Sequence, residues 1–149
     1  MKAEQIKNIL VFLLAFLGLG AIGGGAVLII SPAGKLMGMP DSILEKSPFN
    51  SFLIPGIILF IVLGVAPCLS AFALLKKTPG KFAEKFNFFS DMHWAWTYSI
   101  YTAFALIIWI QLEMVFLNAI SWLHTFYMFY AILIIFTALL PKVRNLYKK

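Results

Sequence analysis

Four apolar runs divide the chain, each free of Asp, Glu, Lys and Arg: Ile9 to Ile30, Phe52 to Leu75, Trp94 to Leu112 and Ala119 to Leu140. At about 1.5 Å per helical residue, each is long enough to cross about 30 Å of hydrocarbon. In lipid the backbone must satisfy its polar groups within the segment. None of the runs alternates apolar and polar positions as a barrel strand does, so all four are expected to be helices. The predicted fold is all-α, a four-helix transmembrane bundle in which residues 1–149 form a single transmembrane domain. Lys2 and Lys7 precede the first run as they would a signal peptide. Its apolar stretch is too long for that, and no cleavage site precedes Ser31-Pro32, so it is expected to be a retained span.

The connections carry their own patterns. Between spans one and two, Leu36, Met37, Met39, Ile43, Leu44 and Phe49 make the loop Ser31 to Ser51 too apolar to stand free in water. It is expected to cover helix ends as a plug, or to act as a lid. Within it, Ser42-Ile43-Leu44-Glu45 fits a capping box after Pro40-Asp41 and predicts a short external loop helix. After the Thr78-Pro79-Gly80 turn, Phe82, Phe86 and Phe89 recur at helical spacing, with Lys81, Glu84 and Lys85 on other faces. That pattern predicts a short cytoplasmic interfacial helix with its rings at the acyl boundary; a helix that docks a partner protein has the same pattern.

Composition narrows the class. The chain is 62% hydrophobic, 16% aromatic and only 12% charged, too little polar material to cover a soluble domain of this length. A soluble enzyme, a disordered chain and a disulfide scaffold are excluded. Cys68 stands alone, so an internal disulfide or dithiol redox pair is excluded too. The net charge of +6 is explained by topology. Ten of the 12 basic residues (Lys2, Lys7, Lys76, Lys77, Lys81, Lys85, Lys142, Arg144, Lys148 and Lys149) fall on one side of a four-span chain, and only Lys35 and Lys46 on the other. The positive-inside rule then predicts a multi-pass cell-membrane protein with both termini in the cytoplasm. The basic residues would meet the anionic inner leaflet, and nucleic acid is not needed as a partner.

Gly18 to Gly23 reads as GxGxxG. Its place inside an apolar span, with no preceding strand, rules out dinucleotide binding. Gly20 with Gly24, and Ala21 with Gly25, instead form small-xxx-small pairs suited to close helix packing within the chain or between copies. Gly64 and Pro67 predict a kink or hinge in span two.

Candidate chemistry gathers in the second hairpin. All four tryptophans, and 13 of the 24 aromatic residues, lie between Trp94 and Phe136. Trp94, Trp96, Tyr98 and Trp122 fit interfacial belts. Trp109, Tyr127 and Tyr130 lie deeper and suggest an aromatic pocket for a lipid or quinone. An antiparallel hairpin brings Glu113 and His124 to similar depth as a hydrogen-bonded pair, with Gln111 and Asn118 nearby. His93 falls about one membrane thickness away. Two ionisable groups without a third ligand or a nucleophile assign no metal site and no catalytic residue. With no carboxylate inside any run, ion pumps and small multidrug exporters are disfavoured.

Ser47-Pro48-Phe49, Pro55-Gly56, His93-Trp94-Ala95-Trp96-Thr97, Leu139-Leu140-Pro141 and Val143-Arg144 together resemble small uncharacterised four-span membrane proteins of prokaryotes. The resemblance implies the fold and carries over no activity, cofactor or site residue. The first expectation is a non-catalytic accessory, assembly or oligomer-forming subunit, associating with its own copies or with a partner membrane protein. The alternative is binding or transport of a small molecule, lipid or quinone through an outward-facing pocket near Glu113, His124 and Tyr127. A third class is an enzyme using Glu113 and His124 on a lipid headgroup.

Overall fold

The computed structural model describes all 149 residues, Met1–Lys149. Four helices are long and apolar enough to cross a membrane: α1 (Ala3–Ile30), α2 (Leu53–Lys76), α4 (Trp94–Leu117) and α5 (Trp122–Leu139). Short helices α3 (Lys81–Glu84) and α6 (Pro141–Leu146) flank them. The long helices form an all-α four-helix bundle whose architecture fits a multi-pass membrane protein. Around the bundle α1 packs on α2, α2 on α4, α4 on α5 and α5 back on α1. Both termini lie at one end, where the Lys142 ammonium donates to the Met1 carbonyl at 2.9 Å. The loop joining α1 to α2 and the tight turn joining α4 to α5 lie at the other.

The close approach of α1 and α2 explains the glycines. A Cβ on Gly25 would lie 2.8 Å from the Gly56 carbonyl oxygen, and one on Gly64 would lie 2.8 Å from the Ile22 side chain. Gly18 faces the Gly64 carbonyl and Cys68 in the same way. Of the expected packing residues, Ala21 and Gly25 are buried. Gly24 touches only Leu59, at 3.6 Å, and Gly20 meets nothing within 4 Å. The intrachain contact therefore uses Gly18, Ala21 and Gly25 rather than the Gly20–Gly24 pair. Gly20 points away because it lies about 200° around the helix from Gly18.

The expected disturbance near Gly64 and Pro67 takes the form of π-helical winding over Leu59–Val65. There the Ala66 N–H donates five residues back, to Ile61. Pro67 has no N–H to give and crowds the preceding turn, and a wider turn relieves both problems.

Several boundaries differ from the sequence reading, and the first helix already starts at Ala3 rather than Ile9. The third span runs to Leu117 rather than Leu112 and so includes Glu113. Glu113 does not end the helix because its carboxylate is satisfied by Trp109, one turn earlier. Asn118, in the left-handed region at φ 49°, ends it instead. The absence of a carboxylate, which disfavoured exporters, therefore does not extend to α4. The fourth helix starts at Trp122 because Ser121 and His124 cap it. In the α1–α2 loop the expected helix is a 3-10 turn over Asp41–Leu44 that follows Pro40, and Ser42 lies inside it rather than capping it.

The expected interfacial helix is the single turn α3, followed by a chain reversal. Asn87 drives the reversal: its amide donates to the Met92 carbonyl at 2.8 Å, and its oxygen accepts from Thr97 at 2.6 Å and the Phe89 N–H at 3.1 Å. Phe82 and Phe88 stay 74% and 85% exposed on this segment.

Candidate functional site

The loop-end halves of the helices create the candidate site. α2 packs on α4 mainly through Ala66–Lys76, near the terminus end. Toward the loop end, the contacts of Gly56 and Gly64 draw α2 onto α1 and leave a crevice beside α4. The α1–α2 loop roofs this crevice with Met39, Ile43, Leu44, Pro48, Phe49 and Phe52. The cavity is about 550 Å³, is lined by 19 residues, 15 of them hydrophobic, and opens sideways past the exposed Val62 and Ile108. A cavity of this size accommodates a lipid-like or drug-sized molecule.

One wall comes from α2 through Pro55, Ile58, Val62 and Leu63, the last two within the π-helical stretch. The facing wall comes from α4 through Ala105, Ile108, Trp109, Leu112, Glu113 and Phe116. The roof makes no hydrogen bond to α4. Phe49 packs edge-on against Phe116, with ring centroids 6.5 Å apart. The Phe52 N–H donates to the Pro32 carbonyl at 2.8 Å, and the Phe52 ring closes over Gly34. Gly34 holds φ 73°, a left-handed conformation that lets the chain turn there.

A second cavity of about 170 Å³ is lined by residues of all four long helices, among them Gly20, Leu59 and Tyr127. Leu63, Trp109 and Glu113 line both cavities and form the partition between them. In that partition the Trp109 indole donates to Glu113 Oε1 at 2.8 Å. Glu113 Oε2 lies 3.7 Å from His124 Nε2, an ion-pair distance but beyond a hydrogen bond. The buried His124 ring accepts the Ser121 N–H at Nδ1 (3.1 Å), so its proton is placed on Nε2, facing Glu113. The structure therefore brings Trp109, Glu113 and His124 together, with Tyr127 beside them in the smaller cavity. No group of three or more His, Cys, Asp or Glu able to hold a metal ion is formed.

Tyr130 plays a different part. Its hydroxyl donates to the Leu13 carbonyl at 2.7 Å, pinning α5 to α1 outside both cavities. The larger cavity also lies between α2 and α4, rather than beside His124 and Tyr127 where the aromatic pocket was expected. Its position depends on the α1–α2 glycine contacts and on the loop, which are long-range features. The apolar loop itself was the readable signal, because such residues need a surface to cover.

The terminus end holds His93 and several groups that sequence reasoning passed over. Tyr147 is 1% exposed, and its hydroxyl donates to the Leu74 carbonyl at 2.7 Å near the end of α2. Burial pushes this phenol well above its ordinary pKa. The last residues run antiparallel to Asp91–His93: the His93 N–H donates to the Tyr147 carbonyl at 2.8 Å, and the Lys149 N–H to the Asp91 carbonyl at 2.9 Å. His93 caps α4 by accepting the Ala95 N–H at Nδ1, and burial holds its imidazole below the usual range against the pull of Glu84. Burial also pushes the Glu84 carboxyl up, but hydrogen bonds from Lys149 and Asn87 outweigh it and leave the carboxyl below its ordinary value. Glu113 lies 20 residues along α4 from His93, about 30 Å away, so the two sites are separate.

No family model, curated protein or solved structure matches this chain.

Proposed function

We propose that this protein is a cell-membrane protein that binds a lipophilic small molecule in the roofed cavity between α2 and α4. One observation carries the reading: an apolar space of about 550 Å³ meets the Glu113 carboxyl under a loop that makes no hydrogen bond to α4. An open apolar space of this size calls for an apolar molecule to fill it, since unfilled walls forfeit dispersion contacts. The positive-inside rule supports an orientation with both termini in the cytoplasm and the cavity in the outer half. No catalytic residue is assigned, because neither cavity presents a nucleophile beside Glu113.

The test is native mass spectrometry of the protein released from a neutral detergent and then challenged with decanol. One bound molecule per chain is expected. Ala105→Phe, which fills the cavity from α4, should abolish uptake while the protein stays monodisperse. Equal uptake by parent and variant, or none by either, contradicts the proposal.

Association is the second reading, favoured by one feature: Gly20 and Gly23 on α1 have open space where a Cβ would stand. A neighbouring backbone could approach closely there. Gly20→Leu should then reduce the assembly to monomers on sizing in detergent. A parent that is already monomeric removes this reading.

A further inference from the structure

The hydrogen-bonding inventory of the cavity wall specifies what kind of head group it receives. Three of its side chains bring polar atoms, those of Ser47, Trp109 and Glu113. The Ser47 hydroxyl is committed to its own loop, donating to the Leu44 carbonyl at 3.0 Å and accepting the Phe49 N–H at 3.2 Å. The Trp109 N–H is committed to Glu113 Oε1. No side-chain donor remains for a ligand. What remains is an acceptor, Glu113 Oε2, whose nearest cationic candidate, His124 Nε2, stands 3.7 Å away. No Lys or Arg lines either cavity. Glu113 is therefore the one acidic group on the walls, in a space that is otherwise apolar.

Resting on the cavity reading above, we propose that the occupant is a lipophilic cation, an amphiphile whose single protonated amine donates to Glu113 Oε2 while its apolar body lies between Ile58, Val62 and Ile108. An ammonium supplies donors and charge to a site that has only an acceptor and the opposite charge. A quinone offers only carbonyl acceptors and finds no free side-chain donor here. A fatty acid or phosphate brings a second negative charge with no basic residue to meet it, and it is repelled.

Three ten-carbon probes separate these classes: decylammonium, decanol and decanoate. Binding is measured at neutral pH by equilibrium dialysis against protein in neutral-detergent micelles, with empty micelles as the blank. Decylammonium should bind about tenfold more tightly than decanol, and decanoate more weakly than either. Glu113→Gln keeps an acceptor for Trp109; it should bring decylammonium down to the affinity of decanol and leave decanol unchanged. Decanol or decanoate equalling decylammonium in the parent protein overturns the cation assignment whatever the variant does. In that case, decanol uptake that is lost in Ala105→Phe leaves the cavity reading standing. Absence of all three probes overturns both.

Discussion

The two ends of the bundle use aromatic side chains in opposite ways. At the terminus end the rings carry polar handles, and the handles are tied to backbone. Trp94 donates to Thr78, Trp96 to Ala138, Tyr98 to Ala83, Tyr101 to Phe86 and Tyr147 to Leu74, at 2.7 to 3.1 Å. At the loop end the rings over the cavity are Phe49, Phe52 and Phe116, which have no handle. A hydrogen-bonded ring fixes both distance and orientation, whereas a phenyl ring contributes area and can slide. The bundle is thus fastened at one end and left adjustable at the other. That difference suits a protein that keeps its helices together while admitting a molecule between two of them.

The comparison is broken most directly by truncating a ring at each end. Tyr147→Ala empties a fully buried site and should cost about 3 kcal/mol. Tyr147→Phe removes only the bond to Leu74 and should cost about 1 kcal/mol. Phe49→Ala at the roof should change stability by less than about 1 kcal/mol, because few contacts hold the loop. Thermal unfolding in one neutral detergent ranks the three. Equal losses at the two ends would erase the distinction.

Glycine substitutions sharpen the origin of the crevice. Gly25→Ala places a methyl group against the Gly56 carbonyl and Phe60 and should cost about 1–3 kcal/mol. Gly20→Ala meets nothing and should be neutral, or stabilising by up to about 1 kcal/mol through helix propensity. The same unfolding measurement checks both. A large loss at Gly20 would show that the chain uses that face for another contact.

The smallest effect expected is one of pH, and it belongs to the terminus end alone. His93 is held below its ordinary range, so the unfolded chain takes up a proton that the folded chain resists. Its contribution is complete above about pH 6.5 and falls as pH drops below that. Glu84, also depressed, contributes fully above about pH 4.3 and loses that contribution as pH falls further. Protonating His93 also removes the acceptor that caps α4. Limited proteolysis after Arg144 and Lys148 should therefore speed up as pH falls from 7 to 5.5, with a protease of pH-independent activity as control. Acceleration confined to the α1–α2 loop would assign the titration to the wrong end.

Most of the fold was readable, and the reasons are local. Apolar runs long enough to span a membrane specify helices, and the short break between the third and fourth runs specifies a tight hairpin. Glu113 and His124 came out at the same depth because a tight hairpin leaves them little choice, but at 3.7 Å they lack the expected hydrogen bond. The cavity was not readable, because it arises where α2 follows Gly18 and Gly25 away from α4, and no local pattern encodes that divergence. Tyr130 looked like a pocket residue, but its hydroxyl found a backbone partner on α1. Asn87 and Tyr147 stand in polar or terminal stretches with no periodic signal, yet each organises several backbone groups.

Hydrogen–deuterium exchange with and without a saturating lipophilic probe tests the central claim most directly. Decylammonium and decanol should each slow exchange in the α1–α2 loop and along α4 from Ala105 to Leu117, and leave Glu84 to Thr97 and Pro141 to Lys149 unchanged. Protection at the terminus end, or at neither end despite measured binding, would contradict the assignment of the ligand site to the roofed cavity.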